Sequence, residues 1–108
     1  MRTLLHGFEL GIVLGGGGTP ANGLVQRVTV TNNTRIGIEL SSSDNVVRDN
    51  VADSDSVGIF ADFGAIGNTI TGNSAHSNAL DLVDSNAHCG TNVWLNNSFG
   101  TANQTCIH

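Results

Sequence analysis

Asn45-Val-Val-Arg-Asp-Asn50-Val-Ala52 returns one interval later as Asn68-Thr-Ile-Thr-Gly-Asn73-Ser-Ala75. The shared frame is Asn-x-apolar-x-x-Asn-x-Ala, and the offset is 23 residues. A pattern that recurs at this interval is the mark of stacked repeats, in which each unit buries its apolar face against the next. The frame extends in both directions by columns. Gly23, Asn45, Asn68 and Asn92 share one position; Val25, Val47, Ile70 and Trp94 the next; then Val28, Asn50, Asn73 and Asn97; then Val30, Ala52, Ala75 and Phe99.

A second family of short segments follows these. Gly11-Ile-Val-Leu14, Gly37-Ile-Glu-Leu40, Gly58-Ile-Phe-Ala61 and Ala79-Leu-Asp-Leu82 are apolar at their second and fourth positions and free at the third. That is period-two alternation with one face turned inward. Units of about 22 residues are too short to carry a crossover helix, so each holds two or three short strands separated by polar turns. The fold expected is all-β: a short right-handed parallel β-helix, a solenoid of about four to five coils. Val25, Val47, Ile70 and Trp94, with Ile12, Ile38, Ile59 and Leu80, are expected to line its bore.

Asn50, Asn73 and Asn97 are expected to form an asparagine ladder. An amide both donates and accepts, so stacked copies bond to one another and to turn backbone, and Asn tolerates the left-handed conformation of a tight turn. Residues 1–22 are the least regular part. His6-Gly-Phe8-Glu-Leu10 alternates like a strand, and Gly15-Gly-Gly-Gly18 reads as a loop between coils, since no Gly-Lys-Ser/Thr follows it as in a phosphate loop. The whole chain, 1–108, is expected to be one β-helix domain, with an irregular N-terminal coil over 1–22 and regular coils with a C-terminal cap over 23–108.

Composition narrows the function. The chain of 108 residues carries a net charge of −5 and only 12% charged residues, about half the usual share. Lysine is absent and the four arginines are scattered, which excludes a nucleic-acid partner needing clustered cations. No apolar run approaches the roughly 18 residues of a membrane span. Met1-Arg-Thr-Leu-Leu5 begins like a signal peptide, but His6, Gly7 and Glu9 interrupt it. Cys89 and Cys106 lie close together without metal-type spacing, so a disulfide is the leading reading; it implies an oxidising, extracellular or periplasmic setting. The bridge would close a loop at the end where Trp94 and Phe99 plug the bore. The N-terminal end has no comparable plug, which suits either a longer parent protein or a homo-oligomer formed through the open end.

The run Asn45-Val-Val-Arg-Asp-Asn50, the Gly-Ile-x-x tetrapeptides and the tail from Asp81 to Ile107 resemble the right-handed parallel β-helix repeat proteins of the pectate-lyase-like superfold, the tail resembling their C-terminal coil. The likeness covers residues 23–107 well and 1–22 loosely. It implies the fold, and by analogy an extracellular protein that binds or processes polysaccharide. The motifs with which enzymes of that superfold hold uronates have no counterpart here: there is no Asp-Asp, Asn-Thr-Asp, Gly-His-Gly or Arg-x-Pro-x-x-Arg.

Three functions stay open. The first is a non-catalytic, polysaccharide-associated module whose ligand face holds Glu39, Phe60 and Asp81. The second is a polysaccharide lyase or glycoside hydrolase using outward carboxylates. Glu39 and Asp81, two coils apart in one column, would stand about 9.6 Å apart by backbone, near the roughly 6.5–9.5 Å of an inverting pair. Asp53 and His76, aligned on adjacent coils, form an alternative in which the carboxylate orients the imidazole. The third is a purely structural cap. The four histidines share no spacing, so no transition-metal site is expected. Asp44, Asp49, Asp53 and Asp55 crowd one stretch but lack the glycine and glutamate of an EF-hand, leaving at most a weak Ca2+ site in the turns.

Overall fold

The computed structural model describes residues 3–15 and 22–108; Gly16–Ala21, most of the glycine loop, lie outside them. Short β-branched and aliphatic segments alternate with polar pairs that bend the chain, and the strands follow that punctuation. The first coil contributes β1 (Thr3–His6) and β2 (Leu10–Leu14). The second contributes β3 (Leu24–Gln26), β4 (Val28–Thr31) and β5 (Ile36–Leu40). The third contributes β6 (Val46–Arg48), β7 (Val51–Asp53) and β8 (Val57–Ala61). The fourth contributes β9 (Thr69–Thr71), β10 (Ser74–His76) and β11 (Leu80–Asp84). A 3-10 turn at Ala87–Cys89 leads to β12 (Val93–Leu95) and β13 (Ser98–Phe99).

Each strand pairs in parallel with its counterpart on the next coil. The result is three sheets around a common bore, ordered β1-β4-β7-β10-β13, β2-β5-β8-β11 and β3-β6-β9-β12. Val25, Val47, Ile70 and Trp94 stack in one file, and Val30, Ala52, Ala75 and Phe99 in another. Ile38, Ile59, Leu82, Val47 and Ile70 are wholly buried, each contributing on the order of 1.5–3 kcal/mol.

Most of the polar corners share one device. A residue in the left-handed conformation turns the chain, and the next residue sends a polar side chain inward. Asp44 and Gly67 precede Asn45 and Asn68; Asp49, Gly72 and Asn96 precede Asn50, Asn73 and Asn97; Asn32, Ser54 and Ser77 precede Asn33, Asp55 and Asn78. The left-handed residue is thus the one before the ladder asparagine, correcting the expectation that the ladder residue itself adopts that conformation. Freed of the turn's strain, the asparagine satisfies backbone. Asn73 Oδ1 accepts from Asn50 N at 3.0 Å and Asn50 Nδ2 at 3.1 Å, and Asn73 Nδ2 donates to Val47 O at 3.0 Å.

Two further polar files join the expected ladder. Asn45, Asn68 and Asn92 are linked amide to amide at 3.0 Å. Asn33, Asp55 and Asn78 occupy the remaining corner. All three files end at the C-terminal side on built acceptors. Asn97 Nδ2 donates to His108 O at 2.8 Å, Asn92 Nδ2 to Asp84 Oδ2 at 3.0 Å and Asn78 Nδ2 to Asp81 Oδ1 at 2.9 Å. Trp94, 2% exposed, closes the bore beside them, and a Cys89–Cys106 disulfide, with Cα atoms 6.2 Å apart, ties the cap.

Two further sequence expectations are overturned. The strand expected over His6–Leu10 is a turn: β1 ends at His6, and Gly7, with φ 79°, begins the bend into β2. Ala79-Leu-Asp-Leu82 is displaced by two residues from its expected register, with Leu82 and not Leu80 lying on Ile59, and Val83 on Phe60. A two-residue slip preserves the alternation of faces, so periodicity alone does not choose between the two registers. The corner chooses, because Asn78 stacks over Asp55 and carries β11 with it.

Candidate functional site

The register of β11 removes Asp81 from the outward column. That column runs Val13, Glu39, Phe60 and Val83. Asp81 is 3% exposed, and its carboxylate accepts from Asn78 N and Nδ2 on one oxygen and from Gly100 N and Thr101 N on the other. Burial alone would raise its pKa, but the Asn78 amide and the Gly100, Thr101 and Asn78 backbone donors outweigh burial and hold it below the usual aspartate range. It closes a polar file and does not face Glu39 across a ligand site, so the Glu39–Asp81 carboxylate pair does not exist.

Glu39 and Phe60 do meet on the outer surface of β5 and β8. Here Ile36, Val57 and Phe60 line a shallow groove of about 310 Å³, with Arg35 and Ser56 on one side and Glu39 and Asp62 on the other. Asp62 lies one residue past β8, outside the column that Glu39 and Phe60 share. Ser41 joins the two acids: its Oγ is 2.9 Å from Glu39 Oε2 and 2.6 Å from Asp62 Oδ2. A hydroxyl has a single hydrogen, so bonding to both carboxyls requires a proton on one of them. Consistent with that, the Glu39 carboxyl lies above its ordinary pKa, through burial first and then the hydrogen bond and negative charge of Asp62, against the opposing pull of Ser41 and Arg35. Arg35 is itself engaged, donating from Nη1 to Glu9 Oε1 at 2.9 Å on the exposed face. One residue beyond Asp62, the ring of Phe63 is 85% exposed.

Asp53 and His76 are in register as expected, yet their chemistry is not. Asp53 Oδ1 accepts from the backbone N of His76 at 2.9 Å, while the imidazole Nε2 lies 2.9 Å from Ser98 Oγ on the next coil. The carboxylate holds the strand, and the ring is oriented by a serine that sequence spacing does not single out. Asp44, Asp49 and Asp55 lie at three different corners and Asp53 at a strand end. Among the described residues no three His, Cys, Asp or Glu side chains gather as a metal site would require. No helix among the described residues is long and apolar enough to cross a membrane.

Residues 6–105 match the family model described as right handed beta helix region. No curated protein and no solved structure matches the chain. With nearly its whole length matched and three parallel sheets stacked coil on coil, the chain belongs to the right-handed β-helix family.

Proposed function

We propose that the protein is a non-catalytic, polysaccharide-associated β-helix module whose ligand lies in the groove over β5 and β8. The observation that carries this is the groove's makeup: an apolar floor with the Phe60 ring, flanked by hydrogen-bonding groups on both sides, with the exposed Phe63 following directly on Asp62 in the chain. Sugar rings present apolar faces and equatorial hydroxyls together, which suits an aromatic platform between carboxyl and guanidinium partners. The Cys89–Cys106 bridge supports an extracellular or periplasmic setting, where such ligands occur.

The hydrolytic alternative loses the Glu39–Asp81 pair on which it rested. Glu39 and Asp62 are closer than the roughly 6.5–9.5 Å of an inverting pair, and the Ser41 hydroxyl that bonds both of them occupies the gap in which a retaining pair, at about 5–5.5 Å, would hold the sugar carbon. The test is incubation with neutral, amino-sugar and uronate polysaccharides, following retention of protein and release of reducing ends or unsaturated products. Retention without turnover is the expected result; turnover would replace the module with an enzyme, and neither would leave a structural cap.

A further inference from the structure

Asp55 occupies a place built for asparagine. Its neighbours in the same polar file are Asn33 and Asn78. Asn78 Nδ2 donates to Ala52 O, on the preceding coil, at 2.9 Å. Val30 is the register partner of Ala52, so the matching slot of Asp55 faces the Val30 carbonyl. The glycine column records the same equivalence. A Cβ on Gly58 would stand 2.8 Å from Asn78 Nδ2, one on Gly11 3.1 Å from Asn33 Nδ2, and one on Gly37 2.7 Å from Asp55 Oδ2. Asp55 therefore puts an oxygen where its neighbours put an amide nitrogen. Oδ1 is satisfied, accepting from Asn33 N and Nδ2 at 2.9 Å. Oδ2 is, among the described residues, the buried side-chain nitrogen or oxygen that has no hydrogen-bond partner.

We propose that Asp55 is a proton-binding site of the folded chain: it is held as the neutral acid, and its Oδ2–H donates to the carbonyl of Val30 in place of an asparagine amide. An ionised carboxylate in that slot would set an anionic oxygen against a carbonyl with no donor between them. The surroundings favour the neutral form. Burial raises the Asp55 pKa; the Asn33 backbone and amide donors pull it down without cancelling that effect, and the charge of Asp53 on β7 adds to it. The groups facing it from the adjoining coils, Asn33, Asn78 and Gly37, are neutral.

A group with a folded pKa above its unfolded value binds protons more readily when folded. Its full contribution is present below the unfolded pKa and is lost as pH rises through the folded one, so this site makes the coil stack firmer in acid than at neutrality. Asp55→Asn should supply the missing donor permanently. It is expected to raise Tm by at least roughly 4 °C at about pH 7 and to leave it unchanged at about pH 3, where both chains carry a donor. In the unmodified chain, the carbon-13 shift of the Asp55 carboxyl should report the acid form well above the ordinary aspartate range, and Asp53→Asn should lower that titration slightly. An ordinary aspartate titration at Asp55, or an Asp55→Asn chain with a lower Tm at neutral pH, would overturn the assignment. Should the variant not fold, the carboxyl shift of the natural chain decides alone.

Discussion

The indole Nε1 of Trp94 donates to Asp84 Oδ2 at 2.8 Å, inside a cap where Asp84 is wholly buried. The same carboxylate accepts from Asn92 Nδ2 and from Asn86 N and Nδ2. One side chain thus joins the end of a polar file, the plug of the bore and the turn toward Cys89. Asp84→Ala leaves Trp94 Nε1 and Asn86 N without an acceptor, while Asn92 Nδ2 and Asn86 Nδ2 keep the Ala65 and Asp62 carbonyls; a loss of at least about 2 kcal/mol is expected in denaturant unfolding. Trp94→Phe removes one donor while keeping much of the ring, so its cost should be smaller, about 1–3 kcal/mol.

The asparagine ladder makes a similar demand in mid-stack. Asn73 accepts from Asn50 N and Nδ2 and donates to Val47 O and Asn97 Oδ1. Asn73→Leu matches its bulk and none of these bonds. Equilibrium unfolding should show a loss of about 3 kcal/mol or more, and Asn73→Asp should not restore it, because the donor to Val47 O is gone.

Cys89 and Cys106 are separated by 17 residues. Reduction should cost about 3 kcal/mol on the chain-entropy account. Hydrogen exchange after reduction should quicken first around Trp94 and Ile107 and leave β5 and β8 protected.

Asp81 should give the acid limb of stability. Its folded pKa is depressed by the Asn78, Gly100 and Thr101 donors in spite of burial, so its contribution is present above the unfolded value of about 3.9 and fades as pH falls through the folded value. Asp81→Asn should be less stable than the natural chain by about 1–3 kcal/mol at neutral pH, and the two should converge in strong acid. The pH dependence is opposite in sign to that of Asp55, so titrating both variants separates the two effects.

The columns through Val47, Asn50 and Ala52 were legible because each coil repeats residue types at nearly constant spacing. The Asn33–Asp55–Asn78 file was not, since an acid interrupts its amides and the pattern lives in backbone geometry rather than in identity. Leu80 and Leu82 are interchangeable by period, and the register was decided by a corner contact outside the strand. Half of the groove was visible in Glu39 and Phe60, which share a column. Asp62, Ser41 and Arg35 lie off that column and come together only where the chain bends at the ends of β5 and β8.

Phe63 offers the most direct test, because at 85% exposure its truncation leaves the core untouched. Affinity for whichever polysaccharide retains the protein would be measured for the natural chain, Phe63→Ala and Phe60→Ala, with Val93→Ala on β12 as a control remote from the groove. The account predicts at least about tenfold weaker binding for both phenylalanine variants, a difference of about 1.4 kcal/mol, and no change for Val93→Ala. Equal affinity across all four chains, or no retention by any polysaccharide, would contradict it.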